Sequence, residues 1–250
     1  MSLSVVLATF NEEKNLPSCL TSVKDLADEI VIVDGTSSDK TVEIAKSFGA
    51  RVLVKDNPPI FHINKQIAID MAKKDWVLQL DADEQVTPEL AAEIRAIMKD
   101  KDSADGYWVP RKNWFLGRFL MKGGVYPDYT LRLYRKGKGH LPQKDVHEQA
   151  VVEGKVGYLK HPLIHMADPY FDRYVLRYKR YTNLIASELK EKHTGKDPVT
   201  LAKYMVALPI FWFFLIYIRH KGILDGWQGF VWAFFSAMRF PVGYAKYLKM

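Results

Sequence analysis

Cysteine is nearly absent from the 250-residue chain. Cys19 stands alone, which excludes a disulfide framework and any cysteine-rich zinc module and fits a reducing compartment. There is no internal repeat and no low-complexity stretch, and 26% charged with 13% aromatic residues exclude a disordered chain. No basic segment precedes the short apolar run of MSLSVVLATFNEE, so a signal peptide is not expected, and the chain should fold from its first residues and stay in the cytoplasm. Long hydrophobic runs are lacking as well. The uncharged stretches Tyr204 to Ile218 and Gly226 to Met238 have 15 and 13 residues, against about 20 for a spanning helix. A spanning hairpin would also carry the basic link RHKGILD across the bilayer, against the preference for Lys and Arg on the cytoplasmic side. In-plane or shallowly re-entrant helices are expected, with core helices of a soluble domain as the alternative.

What is present is enough apolar sequence, 48%, to bury a sizeable core. The net charge of +7 is unevenly placed: residues 1 to 168 carry 23 Lys and Arg against 24 Asp and Glu, and residues 169 to 250 carry 13 against 5. The same tail holds 14 of the 32 aromatics between Tyr204 and Tyr247. A basic, aromatic tail with long uncharged runs fits an anionic membrane surface, whereas a nucleic-acid partner would need no such runs and would leave the neutral first part unexplained. Tyr170, Tyr174, Tyr178 and Tyr181 recur at helical spacing beside Arg173, Arg177 and Arg180, the pattern of a basic amphipathic helix from Pro169 to Lys192.

Ahead of the tail, apolar strands alternate with helices. SLSVVLATF, EIVIVDG, ARVLVKD and DWVLQLDADE read as strands, with helices predicted from about Lys14 to Leu26, Asp39 to Phe48, residues 62 to 73, and Pro88 to about Lys99. Strands apolar on both faces argue for an α/β fold with a mostly parallel sheet and flanking helices. Residues 104 to 160 are shorter in style, aromatic and basic, and suit a mixed part of the sheet. Ligands of such sheets bind beyond the carboxyl ends of the strands, where Asn11 and Glu12, Asp34, and Asp81 with Asp83 fall.

Asp81-Ala82-Asp83, delivered by a hydrophobic strand, suits a hard divalent cation held between protein oxygens and a diphosphate. The pair alone also occurs in solvated turns; the strand context sets this one apart. Asp34-Gly35 with Ser37, Asp39 and Thr41 is a second acidic turn, with helix capping by Ser38 or Asp39 as its alternative role.

ATFNEEKNL, IVIVDGTSSDKT and LQLDADEQ with Pro88 and Leu90 together resemble the nucleotide-sugar-binding half of family 2 glycosyltransferases of the GT-A, Rossmann-like fold. YPDYTLRLYRKGKG, Val146 to Glu148, LIH ending at His165, and RHKGILDGWQGF are similar to the bacterial subgroup that includes lipopolysaccharide inner-core β-1,4-glucosyltransferases. The resemblance implies that Thr9, Asn11 and Glu12 line a uridine pocket and that Asp34 accepts a hydrogen bond from base or ribose. It implies that Asp81 faces the ribose or the metal, that Asp83 ligates Mg²⁺ or Mn²⁺ through the diphosphate, and that Gln85 contacts the metal, although Glu84 replaces the usual apolar residue. Asn64 and Lys65 become candidates for nucleotide or sugar.

An inverting transferase also needs a carboxylate to take the acceptor proton. Glu148, in Asp145-Val146-His147-Glu148, is the first choice and Asp128 the second; a surface salt bridge is the alternative role of Glu148. His165 is either a third metal ligand or phosphate contact, or a satisfied core histidine. Arg132 and Arg135 either hold phosphate or are solvated strand residues. The resulting expectation is a catalytic domain over residues 1–168, with a nucleotide-sugar half to residue 100 and an acceptor half from 101, and a membrane-associating tail over 169–250. The activity expected is transfer of a hexose, glucose from UDP-glucose, to a lipid-linked saccharide on the inner face of the cytoplasmic membrane. A polyprenyl-phosphate hexose synthase and a non-catalytic membrane-binding module are the rivals.

Overall fold

A computed structural model describes residues 1–143 and 149–250 of the chain. It divides into two compact units, the first made of Met1–Arg111 and Asp128–His165 and the second of Lys112–Pro127 and Met166–Met250. The strands in chain order are β1 (Leu3–Thr9), β2 (Glu29–Asp34), β3 (Arg51–Val54), β4 (Trp76–Gln79), β5 (Glu84–Val86), β6 (Gly106–Phe115), β7 (Arg118–Phe119), β8 (Asp128–Arg135), β9 (Gly139–His140), β10 (Val151–Val152), β11 (Val156–Tyr158) and β12 (Leu163–Asp168). The helices of the first unit are α1 (Leu16–Val23), α2 (Thr41–Ser47), α3 (His62–Met71) and α4 (Pro88–Lys99).

In the first unit β3, β2, β1 and β4 lie side by side and parallel, so their carboxyl ends reach one edge. Beyond β4 the sheet turns antiparallel, with β8 against β4 and β6 against β8. Both faces of the parallel part are covered. Leu3, Val5 and Leu7 pack with Leu16, Leu20, Leu90 and Ile94 of α1 and α4 on one side, and Val6, Val31 and Val77 pack with Ala68 and Ile69 of α3 on the other. Each fully buried Leu or Ile contributes roughly 1.5–3 kcal/mol. Helix α4 begins where the sequence places it, because Thr87 accepts a hydrogen bond from the Leu90 N–H and Pro88 occupies the first turn.

One break in the sheet matters for the site. On β6 and β8, Tyr107 pairs with Leu133 but the next residue, Trp108, pairs with Leu131, so Arg132 is left unpaired as a β-bulge. Bulges re-aim side chains at sheet ends, and this one separates the two leucines, Leu133 joining one face's core and Leu131 the other.

The second unit contains α5 (Phe171–Glu191), a helix over Pro198–Arg219 and an α-helix over Gly226–Leu248. Helix α5 runs parallel to the last helix: Tyr174 meets Trp232 and Phe235, and Ala186 and Leu189 pack with Tyr244 and Tyr247. The middle helix runs the other way, Tyr204 stacking on Tyr244 while Phe213 and Tyr217 meet Phe230. Residues 112–127 belong here rather than with the residues flanking them in sequence, because Phe115 and Leu120 are buried among Tyr174, Val231 and Trp232. RHKGILDGWQGF is the turn between the second and third helices. Lys221 adopts φ +58°, and a Cβ on Gly229 would lie 1.9 Å from the Gly222 carbonyl oxygen, so only glycine permits that approach.

The expectation that neither uncharged run makes a helix long enough to span is corrected here. The helix starts at Pro198, where Asp197 accepts hydrogen bonds from the Val199 and Thr200 N–H groups, and it continues through the charge of Lys203. It has 22 residues and is long and apolar enough to cross a membrane by length and composition, about 33 Å at 1.5 Å per residue.

Candidate active site

A cleft of about 270 Å³ opens in the first unit, lined by Ala8, Thr9, Phe10, Glu12, Asn57, Phe61, Asn64, Lys65, Asp81, Ala82 and Asp83. It lies where β1 and β4 end, with α3 supplying Asn64 and Lys65. Six of the residues singled out in the sequence, Thr9, Glu12, Asn64, Lys65, Asp81 and Asp83, thus come together. Phe10, Asn57 and Phe61 join them without having been singled out; Phe10 was signalled only by its place directly after β1.

Asp34 and Asn11 do not line the cleft. Asp34 is fully buried beneath it, accepting from Thr9 Oγ1 (2.9 Å), the Ser37 N–H (2.8 Å) and Ser37 Oγ (2.6 Å). Asn11, at φ +56°, accepts from the Ser38 N–H at 2.9 Å and donates its own N–H to Ser37 Oγ. These two residues fix the turns after β1 and β2 against each other. Glu12 and Asn15 close the same turn, Asn15 Nδ2 donating to Glu12 Oε2 at 2.7 Å.

Asp81 is gripped from two sides. Lys65 Nζ contacts its Oδ1, and Arg132 NH2 lies 2.5 Å from its Oδ2. Burial opposes ionisation of this carboxyl, but Arg132 and Lys65 outweigh it and hold Asp81 well below the usual carboxylate range. Burial also lowers the Lys65 ammonium, with Asp81 opposing the shift. Arg132 is therefore buried and paired; the alternative of a solvated strand residue is corrected by the bulge that turns it inward. Arg135 packs over the Trp76 ring, 4.8 Å from its centroid, and donates to Ser103 Oγ.

Arg132 also reaches Glu84 Oε1 at 2.7 Å, and Glu84 is fully buried. Arg111 NH1 meets the same oxygen at 3.2 Å and its NH2 lies 2.7 Å from Asp128 Oδ2. The result is a continuous chain of alternating charge, Lys65, Asp81, Arg132, Glu84, Arg111, Asp128, that sums to zero. Arg111 carried no signal in the sequence and Glu84 stood out only as a departure from the family's usual apolar residue, because their pairing is set across strands 27 residues apart.

Asp83 faces His165, with Nε2 3.7 Å from Oδ1. His165 stands on β12 opposite Glu84 on β5. Gln85 is placed elsewhere. Adjacent residues on a strand face opposite sides, and with Glu84 turned to the arginines, Gln85 lines a separate hollow with Pro17, Ser18, Thr21 and Ser22 and not the cleft that Asp83 lines. Glu148 lies outside the described residues. Among the described residues no three His, Cys, Asp or Glu side chains converge as a ready metal cage. Asp83 and His165 nevertheless fit a divalent cation of the kind bound through one or two protein ligands plus substrate phosphates and waters. Cys19, buried below, has its thiol pushed well above the ordinary range by burial, reinforced by Glu84, Asp83 and Asp81, so it offers no thiolate.

A half-parallel, half-antiparallel α/β sheet with an acidic cleft beyond its parallel strands defines a transferase fold of the GT-A type. The chain belongs to glycosyl transferase family 2, whose model matches residues 4–150, and it is a glycosyltransferase. It is 30% identical over 253 residues to LpsC, a lipopolysaccharide core biosynthesis glycosyltransferase of Rhizobium meliloti (strain 1021), covering 96% of this chain and 92% of that protein. An uncharacterized glycosyltransferase of Rickettsia bellii (strain RML369-C) is 27% identical over 260 residues, covering 99% and 84% of the two chains. Among solved structures, S. aureus TarS 1–349 superposes with a TM-score of 0.50 at 15% identity, covering 100% of this chain and 92% of that one, a likeness of fold.

Proposed function

We propose that the chain transfers a hexose, glucose from UDP-glucose, with inversion, to a lipid-linked saccharide such as lipopolysaccharide core, working at the cytoplasmic face of a membrane. The observation that carries this reading is the convergence of Thr9, Glu12, Asn64, Lys65, Asp81 and Asp83 on one cleft in a family 2 chain whose relative LpsC is named for lipopolysaccharide core biosynthesis. Phe10 and Phe61, both exposed at the cleft, offer faces for a base. Lys65 and Arg132 supply positive charge for a diphosphate, the main electrostatic demand when UDP departs.

Asp83 and His165 would hold Mg²⁺ or Mn²⁺. When bound, that ion supplies Lewis-acid neutralisation of the leaving diphosphate. The acceptor proton goes to Glu148 or, failing that, to Asp128, whose Oδ2 is held by Arg111. The division of labour proposed is donor chemistry in the first hundred residues, acceptor binding in the next part, and membrane attachment by residues 169–250.

For the membrane, the second unit supports an in-plane attachment. Ile210, Phe211, Phe214 and Ile218 are exposed along the Pro198–Arg219 helix. A crossing orientation would take α5 with it, since α5 lies along the last helix for its whole length, and α5 carries Arg173, Arg177, Lys179 and Arg180. Each such charge costs roughly 2.5–3.5 kcal/mol at the bilayer centre. The test of the donor reading is a screen of UDP-sugars by thermal shift and UDP release, with and without Mn²⁺. Failure of every UDP-sugar to stabilise the protein or to be turned over overturns it.

A further inference from the structure

We propose that Glu84 is a positioning residue that couples filling of the donor cleft to release of Asp128 from Arg111. The inference rests on the donor reading above. Glu84 has no exposure to solvent, yet it is joined to both ends of the site. Its Oε2 accepts the Asp81 backbone N–H at 2.9 Å, and its Oε1 is shared between Arg132 at 2.7 Å and Arg111 at 3.2 Å. Each arginine is in turn shared with a second acid, Arg132 with Asp81 and Arg111 with Asp128. No member of this chain can move toward a new partner without its neighbours re-dividing their bonds.

A nucleoside diphosphate brings negative charge to the Lys65 and Asp81 end. Arg132 has capacity to meet it, because its Nε–H is buried and has no hydrogen-bond partner among the described residues. A buried donor in that state costs about 1–3 kcal/mol, which an incoming phosphate oxygen would recover. As Arg132 turns to the phosphate, Glu84 loses one of its two cations. A buried carboxylate strongly favours keeping a partner, so Glu84 draws Arg111 closer, and the hold of Arg111 on Asp128 slackens. Arg111 then restrains Asp128 less once the donor has arrived, and where Asp128 rather than Glu148 takes the acceptor proton, that limits proton transfer to the complex that can complete the reaction.

Coupling of this kind is reciprocal. If the donor loosens Arg111 from Asp128, then neutralising Asp128 must strengthen donor binding through the same chain. The experiment is isothermal titration of UDP with Mg²⁺ into the full chain and into Asp128→Asn, Arg111→Gln, Glu84→Gln and the doubles of Asp128→Asn with each of the other two. Asp128→Asn is expected to tighten UDP about five- to tenfold in the unsubstituted background and to change it less than twofold once Arg111 or Glu84 is replaced. A direct field effect of Asp128 on the anionic ligand would persist in every background, and that result overturns the proposal, as does an unchanged UDP affinity in Asp128→Asn. Arg111 is at the site's partly exposed side, so its variants keep the test alive should Glu84→Gln not fold. Absence of UDP binding by the unsubstituted chain overturns the donor reading itself, which separates the two failures.

Discussion

Arg132 and Glu84 in the first unit are charged and buried, whereas Phe211 and Phe214 in the second are apolar and exposed. Each arrangement reverses the usual partition of residues between core and surface. The first is tolerated because Arg132 and Glu84 each have opposite partners within a chain of six charges that sums to zero; the second has no such compensation inside the unit. The contrast says where each unit expects company. The charged interior is balanced in charge but leaves the Arg132 Nε–H without a partner among the described residues, and the apolar surface is left exposed. Local departures from folding rules are expected at functional or strained places, and here the two departures are of opposite kind.

The sharpest way to break the first half of the comparison is to remove its proposed metal. Asp83→Asn keeps volume and removes charge, and turnover is expected to fall on the order of a thousandfold or more, since an ion neutralising the leaving group is worth several kcal/mol. EDTA should do the same to the unsubstituted protein. Radiolabelled transfer that survives both treatments removes the metal role of Asp83 and His165.

Next in size are the candidate bases. Glu148→Gln should lower kcat by about 10² to 10⁴ with donor affinity unchanged. Asp128→Asn is the companion variant, and a dead Asp128→Asn beside an active Glu148→Gln exchanges the roles. Single-turnover rates with saturating donor separate chemistry from release.

These tests fall on residues that the sequence made visible to different degrees. The parallel strands were legible because VVLAT, IVIVD and WVLQL are apolar on both faces, and α4 because Thr87 and Pro88 mark its start. Asp81 and Asp83 were legible because an apolar strand delivers them. Glu84 and Arg111 were not, for their bonds join β5 to β6 and β8, and a charged residue in a short strand looks the same whether it meets water or a guanidinium. Arg132 depended on a bulge, which shifts register by one residue and leaves no compositional trace. In the tail, counting uncharged residues underestimated the helix because Lys203 interrupts composition without interrupting hydrogen bonding. Composition also does not say which aromatics of the tail face inward: Trp232 packs edge-on against Phe115 inside the second unit, since parallel packing of α5 on the last helix decides which face turns inward.

The exposed half of the comparison is sharpened by Phe211→Asp with Phe214→Asp. Both side chains lie outside the core, so stability should change by about 0.5 kcal/mol or less. Each removes apolar area worth roughly 1.5–3 kcal/mol when buried, so partitioning onto phosphatidylserine vesicles should drop at least about tenfold. Flotation that is unaffected sinks this face as the attachment surface. A cysteine replacing Ile223, which is exposed in the turn between the last two helices, should be labelled only from the cytoplasmic side if the helices lie in plane; labelling from the opposite side would show a spanning arrangement.

The smallest effect expected concerns acid. Asp81 is held well below the usual carboxylate range in the folded protein by Arg132 and Lys65, against the opposing effect of burial, while in the unfolded chain it titrates near the ordinary value of about 3.9. A carboxylate with a depressed folded pKa binds fewer protons folded than unfolded, so its stabilising contribution is fully present above the unfolded value and is lost as pH falls toward the folded one. Melting temperature should therefore be insensitive to Asp81 between pH 5 and 7 by this reasoning, at roughly one unit or more above the unfolded pKa, and should fall more steeply below about pH 4. In Asp81→Asn the steeper part of that acid limb should be missing, although the variant begins from lower stability because Arg132 and Lys65 lose their shared partner. A variant whose melting curve keeps the same slope with pH below 4 as the unsubstituted protein would show that Asp81 is not the group that titrates, and that the ion pairs with Lys65 and Arg132 are open to water.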